Sequence, residues 1–125
     1  MAWLFDTDIL IDYLRSRPDS VEVIEGYIFE ADLSVMNVTE LYQGVRDGDE
    51  RTMLASTLSA FTVLPITLDI VEHGGLFART YKASHSCGLA DCLIAATAEL
   101  HGLTLQTLNK KDYPMLKSVQ VPYMK

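Results

Sequence analysis

Cysteine is nearly absent: the 125-residue chain carries two, Cys87 and Cys92. Five positions apart, they form no Cys-x-x-Cys pair, and no His or Cys partner stands at zinc-site spacing. Disulfide scaffolds and structural zinc sites are thereby excluded. Cys92 reads as a small core residue, and Cys87 as a free thiol near the start of the same helix. Long hydrophobic runs are missing too, and Met1-Ala2-Trp3-Leu4-Phe5-Asp6 lacks the basic opening of a signal peptide. The expectation is a soluble cytoplasmic protein with no membrane partner. Positive charge is scarce, with 10 Lys and Arg against 17 Asp and Glu, a net charge of −7. That balance speaks against general binding to a phosphate backbone. It leaves open a nucleic-acid enzyme whose acids surround cations, since bound ions invert the local field. No GxxxxGK[ST] phosphate loop is present, and His73, His85 and His101 are scattered without a triad pattern. Repeats, linkers and low-complexity tracts are lacking as well. With 49% hydrophobic and 22% charged residues, the chain reads as one globular domain spanning residues 1–125.

What is present is an alternation of short apolar runs and helical patterns. Trp3-Leu4-Phe5 reads as a buried strand ending at Asp6, with Thr7 or Asp8 as the cap of a helix running to about Arg17. Pro18 stops that helix, and Asp19 or Ser20 starts the next. Asp12 falls on the outer, solvated side. Leu33-Ser34-Val35-Met36 reads as a second strand, and Glu40 lies in the first turn or so of the helix after it. A helix pair follows around the Asp47-Gly48-Asp49 turn. Thr62 to Ile66 is a strand kept near an edge by Pro65, and a helix from Leu68 to about Ser84 follows, weakened by Gly74-Gly75. Tyr13, Tyr27, Phe29 and Tyr42 fall at core-like spacing. Leu89 to Ala98 is strongly apolar after Asp91 and reads as a helix buried on most sides, closed by Gly102. Leu103–Thr107 and Val119–Val121 are the last strands. Strands alternating with helices predict an α/β fold with a mainly parallel sheet of four to five short strands, flanked by helices on both sides.

In such a sheet, sites form beyond the carboxyl ends of the strands. Asp6 ends the first strand, Glu40 follows the second, Asp91 opens the apolar helix, and Asn109 and Asp112 follow the Leu103–Thr107 run. Each alone is an ordinary cap or turn residue. Together at one edge they would repel one another and raise each other's pKa unless a cation joined them. Hard oxygen donors select Mg²⁺ or Mn²⁺, the ions of phosphoryl chemistry. Lys110-Lys111 and Arg15-Ser16-Arg17 are small basic patches that suit contacts to RNA phosphates.

The residues Leu4-Phe5-Asp6-Thr7-Asp8-Ile9-Leu10-Ile11-Asp12, Val38-Thr39-Glu40-Leu41-Tyr42-Gln43-Gly44, Gly88-Leu89-Ala90-Asp91-Cys92-Leu93-Ile94-Ala95-Ala96-Thr97-Ala98 and Thr107-Leu108-Asn109-Lys110-Lys111-Asp112-Tyr113-Pro114 come in this order over nearly the whole chain. In this the chain resembles the PIN-domain ribonucleases, specifically the VapC-type toxins of prokaryotic toxin–antitoxin pairs. The resemblance implies a PIN-like fold and an acidic pocket for Mg²⁺ or Mn²⁺, in which Asp6, Glu40 and Asp91 match the three main acids. Asn109 or Asp112 takes the fourth position, and Thr7 or Asp8 steadies the first acid by a hydrogen bond. It further implies hydrolysis of RNA phosphodiester bonds, inhibition by a cognate antitoxin, and a homodimer. Two other readings stand beside it: a non-catalytic PIN-like binding module, and a PIN nuclease of RNA processing that is not a toxin.

Overall fold

The alternation along the first strand organises the molecule. In the computed structural model, which describes residues 2–85 and 87–125, β1 (Trp3–Phe5) is buried on both faces. Side chains in a strand point alternately to opposite sides. Trp3 and Phe5 accordingly join one core with Ile9, Leu10, Ile24, Leu33, Leu41 and Leu54, while Leu4 joins the other with Ile94, Ala95, Ala98, Leu105 and Tyr113. A short run apolar at every position is the pattern of a central parallel strand covered on both sides.

Around β1 lie β2 (Ala31–Ser34), β3 (Thr62–Leu64), β4 (Thr104–Gln106) and β5 (Val119–Gln120), in the spatial order β3-β2-β1-β4-β5, with every pairing parallel. The first core is covered by α1 (Thr7–Leu14), α2 (Pro18–Tyr27), α3 (Val35–Gly44) and α4 (Asp49–Leu58), and the second by α6 (Leu89–His101). Helix α5 (Leu68–Tyr81) packs along α6. The α/β class, the parallel sheet and the helices on both faces agree with the sequence reading, and Pro65 does follow an edge strand.

Several boundaries differ for local reasons. Helix α1 is capped by Asp6 itself, whose carboxylate accepts the Thr7 N–H, and it ends at Leu14 rather than Arg17. Pro18 opens α2 instead of merely stopping α1, because the first helical position needs no N–H. Strand β2 ends at Ser34, whose side chain caps α3 from Val35 onward. Glu40 therefore sits in the second turn of α3, not the first. Helix α5 ends at Tyr81, and Phe29 and Tyr42 are exposed rather than core.

Asp12 is the largest departure. It is 4% exposed, not solvated, because the end of the chain folds over it. The Tyr123 hydroxyl donates to Asp12 Oδ2 at 2.8 Å, Lys125 Nζ donates to Oδ1 at 3.0 Å, and the Arg17 guanidinium lies over the Tyr123 ring. A buried carboxylate is tolerable when paired in this way.

The two glycines of α5 have different reasons to be there. A Cβ on Gly74 would stand 2.8 Å from Leu93 Cδ2 and 3.3 Å from the Cys92 carbonyl oxygen, whereas one on Gly75 would meet nothing within 4 Å. Gly74 thus lets α5 approach α6 closely. Gly75→Ala is expected to stabilise the chain by about 0.5–1 kcal/mol through helix propensity. Gly74→Val is expected to cost about 1–3 kcal/mol through overpacking. Chemical denaturation of both variants checks the pair, and equal effects would show that the close approach constrains nothing.

Candidate active site

Because all strands run the same way, their carboxyl ends share one edge. Helix α6 returns the chain to the start of β4 through Gly102, which adopts φ 65°. Its N-terminus therefore lies at that same edge. Asp6 follows β1, α3 follows β2, Thr107 follows β4, and Asp91 occupies the first turn of α6.

Asp6 is 7% exposed. Its Oδ1 accepts the Thr7 N–H at 2.8 Å and its Oδ2 accepts the Thr107 hydroxyl at 2.6 Å. Burial, followed by the nearby Asp8 carboxylate, pushes its pKa up to about 7 despite these bonds. Asp8 Oδ2 accepts the Leu108 N–H at 3.0 Å and the Asn109 amide at 2.9 Å, and burial raises its pKa as well. Asp91 Oδ2 accepts the Gly88 N–H at 3.0 Å, closing the first turn of α6, and Oδ1 accepts the Tyr113 hydroxyl at 3.3 Å. Burial, with Asp112 nearby, raises the Asp91 pKa.

Glu40 is held through a directed relay. The Asn37 side-chain oxygen accepts the Ser34 N–H at 2.8 Å, so its Nδ2 faces Thr7 and donates to Thr7 Oγ1 at 2.9 Å. A hydroxyl has one proton. With Asn37 as donor, the Thr7 proton goes to Glu40 Oε1 at 2.7 Å.

These contacts redistribute the roles read from the sequence. Thr7 does reach Asp6, but by its backbone N–H, and its hydroxyl serves Glu40. The hydroxyl that steadies Asp6 belongs to Thr107. Asp8 anchors the segment after β4 through Leu108 and Asn109. Asn109 is exposed and spends its amide on Asp8, while Asp112 lies on the Asp91 side of the site. Lys110 and Lys111 are exposed on a short 3-10 turn of Lys110–Asp112, and Arg15 is exposed at the end of α1. Arg15 and Glu40 share a groove of about 460 Å³ whose floor includes Ile11, Leu41, Val45 and Met53.

Sequence reasoning missed Asn37, Thr107 and Tyr113. Thr107 carried a weak signal as a polar residue closing an apolar strand. The other two carried none, since their partners are remote in the chain.

Among the described residues, none of the ion pairs involves Asp6, Asp8, Glu40 or Asp91. Nor do any three His, Cys, Asp or Glu side chains already stand as a ready metal cage. The donor set still fits a hard divalent ion. It consists of carboxylate oxygens, and those of Asp6, Asp8 and Asp91 are held in surroundings that penalise their charge and would be relieved by a cation.

Asp6 also predicts a pH dependence. Its folded pKa of about 7 exceeds the reference 3.8, so the folded state holds more protons between those values, and stability falls as pH rises through that window. The metal-free chain is expected to melt several degrees lower at pH 8 than at pH 5, and Asp6→Asn to remove most of that difference. Calorimetric melts at the two pH values check it.

Comparison with known proteins follows the same lines. The family model described as PIN domain matches residues 3–114. Ribonuclease VapC19 of Mycobacterium tuberculosis is 36% identical over 125 residues, covering 96% of this chain and 98% of that protein. Ribonuclease VapC10 of the same organism is 35% identical over 123 residues, covering 96% and 92%. Among solved structures, a toxin–antitoxin complex from Klebsiella pneumoniae contains a chain that superposes with a TM-score of 0.86 at 31% identity, covering 99% of this chain and all of that one.

Proposed function

This chain belongs to the PIN-domain family and is a relative of the VapC ribonucleases, and on that premise we propose that it is a toxin endoribonuclease, dependent on Mg²⁺ or Mn²⁺ and restrained by a cognate antitoxin. We take residues 1–125 as a single PIN-like nuclease domain acting in the cytoplasm. Among the described residues no helix is long and apolar enough to cross a membrane. The observation that carries the reading is the set of carboxylates, buried Asp6 and half-buried Asp91 foremost, that enter no ion pair among the described residues, at the carboxyl edge of a sheet in a chain of this family.

Asp6 and Asp91 would hold the ion, with Glu40 holding it through water or orienting the attacking water. Of the two residues considered for the fourth position, Asp112 is favoured, because the Asn109 amide is committed to Asp8. When bound, the ion activates water and neutralises charge on the phosphodiester. The chain's own residues do the positioning. The Thr7 bond fixes the rotation of Glu40 and leaves Oε2 to orient the water whose oxygen attacks phosphorus. Thr107 and the Thr7 N–H set the plane of the Asp6 carboxylate, and the Gly88 N–H holds Asp91 from within its own helix turn. Lys110, Lys111 and Arg15 would contact RNA phosphates beside the acids. Such contacts place a strand without reading its bases.

The groove beside Glu40 suits a segment of the antitoxin, with apolar side chains on its floor and a basic side chain toward the acids. The complex from Klebsiella pneumoniae is a toxin–antitoxin assembly, which supports that partner. Leu68, Val71 and Leu76 are exposed along one flank of α5, a surface through which a homodimer would form.

The test is cleavage of total cellular RNA by the purified chain with Mg²⁺ or Mn²⁺, with the cut ends mapped. Asp6→Asn and Asp91→Asn are expected to lower the rate by more than about 100-fold. Thr7→Val and Asn109→Ala remove supporting partners and are expected to lower it roughly 10-fold. Cleavage at the unaltered rate by either aspartate variant would sink the assignment.

A further inference from the structure

Tyr113 is the buried polar group that the proposed chemistry does not require. It follows the 3-10 turn after β4, and its ring is packed among Leu4, Ile94, Ala95, Ala98 and Leu105 at 2% exposure. Five apolar neighbours would accept phenylalanine equally well, so packing gives no reason for the hydroxyl. That hydroxyl points to the acids. It donates its one proton to Asp91 Oδ1 at 3.3 Å, with the Asp6 carboxylate also nearby.

Asp6 hangs from the end of β1 and Asp91 from the first turn of α6, elements brought together only by the fold. Each is already fixed locally, Asp6 by Thr7 and Thr107 and Asp91 by Gly88. The Gly88 bond engages Asp91 Oδ2 and leaves Oδ1 to a partner outside α6. The phenolic O–H supplies that partner from a third element.

We propose that Tyr113 is a positioning residue of this site: its buried hydroxyl ties down Asp91 Oδ1 and so fixes the orientation of a carboxylate that would take the divalent ion. This rests on the nuclease reading given above. Partners that orient metal ligands are typically worth 10–100-fold in affinity or activity.

The test compares the unaltered chain with Tyr113→Phe, which keeps the ring and removes the hydroxyl alone. Calorimetric titration with Mn²⁺ is expected to show affinity weakened at least about 10-fold. Cleavage is expected to show kcat falling by a similar factor with KM for RNA unchanged, a split that loose packing would not produce. A metal-free readout separates this proposal from the nuclease assignment. In a double-mutant cycle of Tyr113→Phe and Asp91→Ala, melting temperatures are expected to be non-additive. If the unaltered chain neither binds Mn²⁺ nor cuts RNA, the nuclease reading fails while the cycle still reports on the tie. Additive melting effects overturn the tie. Mn²⁺ affinity and kcat in Tyr113→Phe equal to those of the unaltered chain overturn its role in positioning.

Discussion

The structure depends on holding buried Asp6 and half-buried Asp8 and Asp91 at one edge of a sheet where, among the described residues, no positive side chain pairs with them. Asp6 is 7% exposed and neighbours Asp8, and its pKa rises to about 7. A protein selected only for stability would put a Lys or Arg there or replace the acids, since charge buried without a partner is among the costliest features a fold can carry. Asp12 shows the other solution in the same chain. It is equally buried, yet Lys125, Tyr123 and Arg17 surround it. Asp12 is neutralised from within the chain, whereas Asp6, Asp8 and Asp91 enter no ion pair among the described residues.

Holding such groups in place falls to neutral donors, and the donors have direction. Thr7 and Thr107 each contribute one proton, and each has that proton aimed by a second group: Asn37 donates to Thr7, and the Asn109 N–H to Thr107. The carboxylates are thus oriented without being discharged. Backbone N–H groups do the same at Thr7 and Gly88. Neutral hydrogen bonds lower a carboxylate pKa less than an ion pair would, so the pKa values of Asp6 and Asp91 stay raised.

Rigid mounting comes from the two cores. Strand β1 feeds both, with Leu4 on one side and Trp3 and Phe5 on the other, so Asp6 leaves a segment that cannot tilt. Helix α6 is fixed by Ile94, Ala95 and Ala98 against the sheet and by the close approach of Gly74 from α5. A site on such elements is held more tightly than one on loops. The Asp91 carboxylate both closes the first turn of its helix and accepts the Tyr113 hydroxyl, one oxygen to each task.

Local chemistry written in short segments was legible in the sequence. The all-apolar Trp3-Leu4-Phe5, the alanine-rich helix after Asp91 and the strand–helix alternation determine a parallel α/β sheet, and with it the edge where Asp6, Glu40 and Asp91 must emerge. That inference needs only periodicity and the rule that parallel strands end on one side. Tertiary structure alone decided what touches what. Asp12 looked solvated because the residues that cover it, Tyr123 and Lys125, lie more than a hundred positions away. Thr7 was assigned to Asp6 by adjacency, yet its hydroxyl turns to Glu40 because Asn37, thirty residues on, takes one of its lone pairs. Thr107, Asn109 and Tyr113 acquired their partners in the same way. A hydrogen bond is satisfied over about 3 Å of space, and distance along the chain says nothing about that separation until the fold has closed.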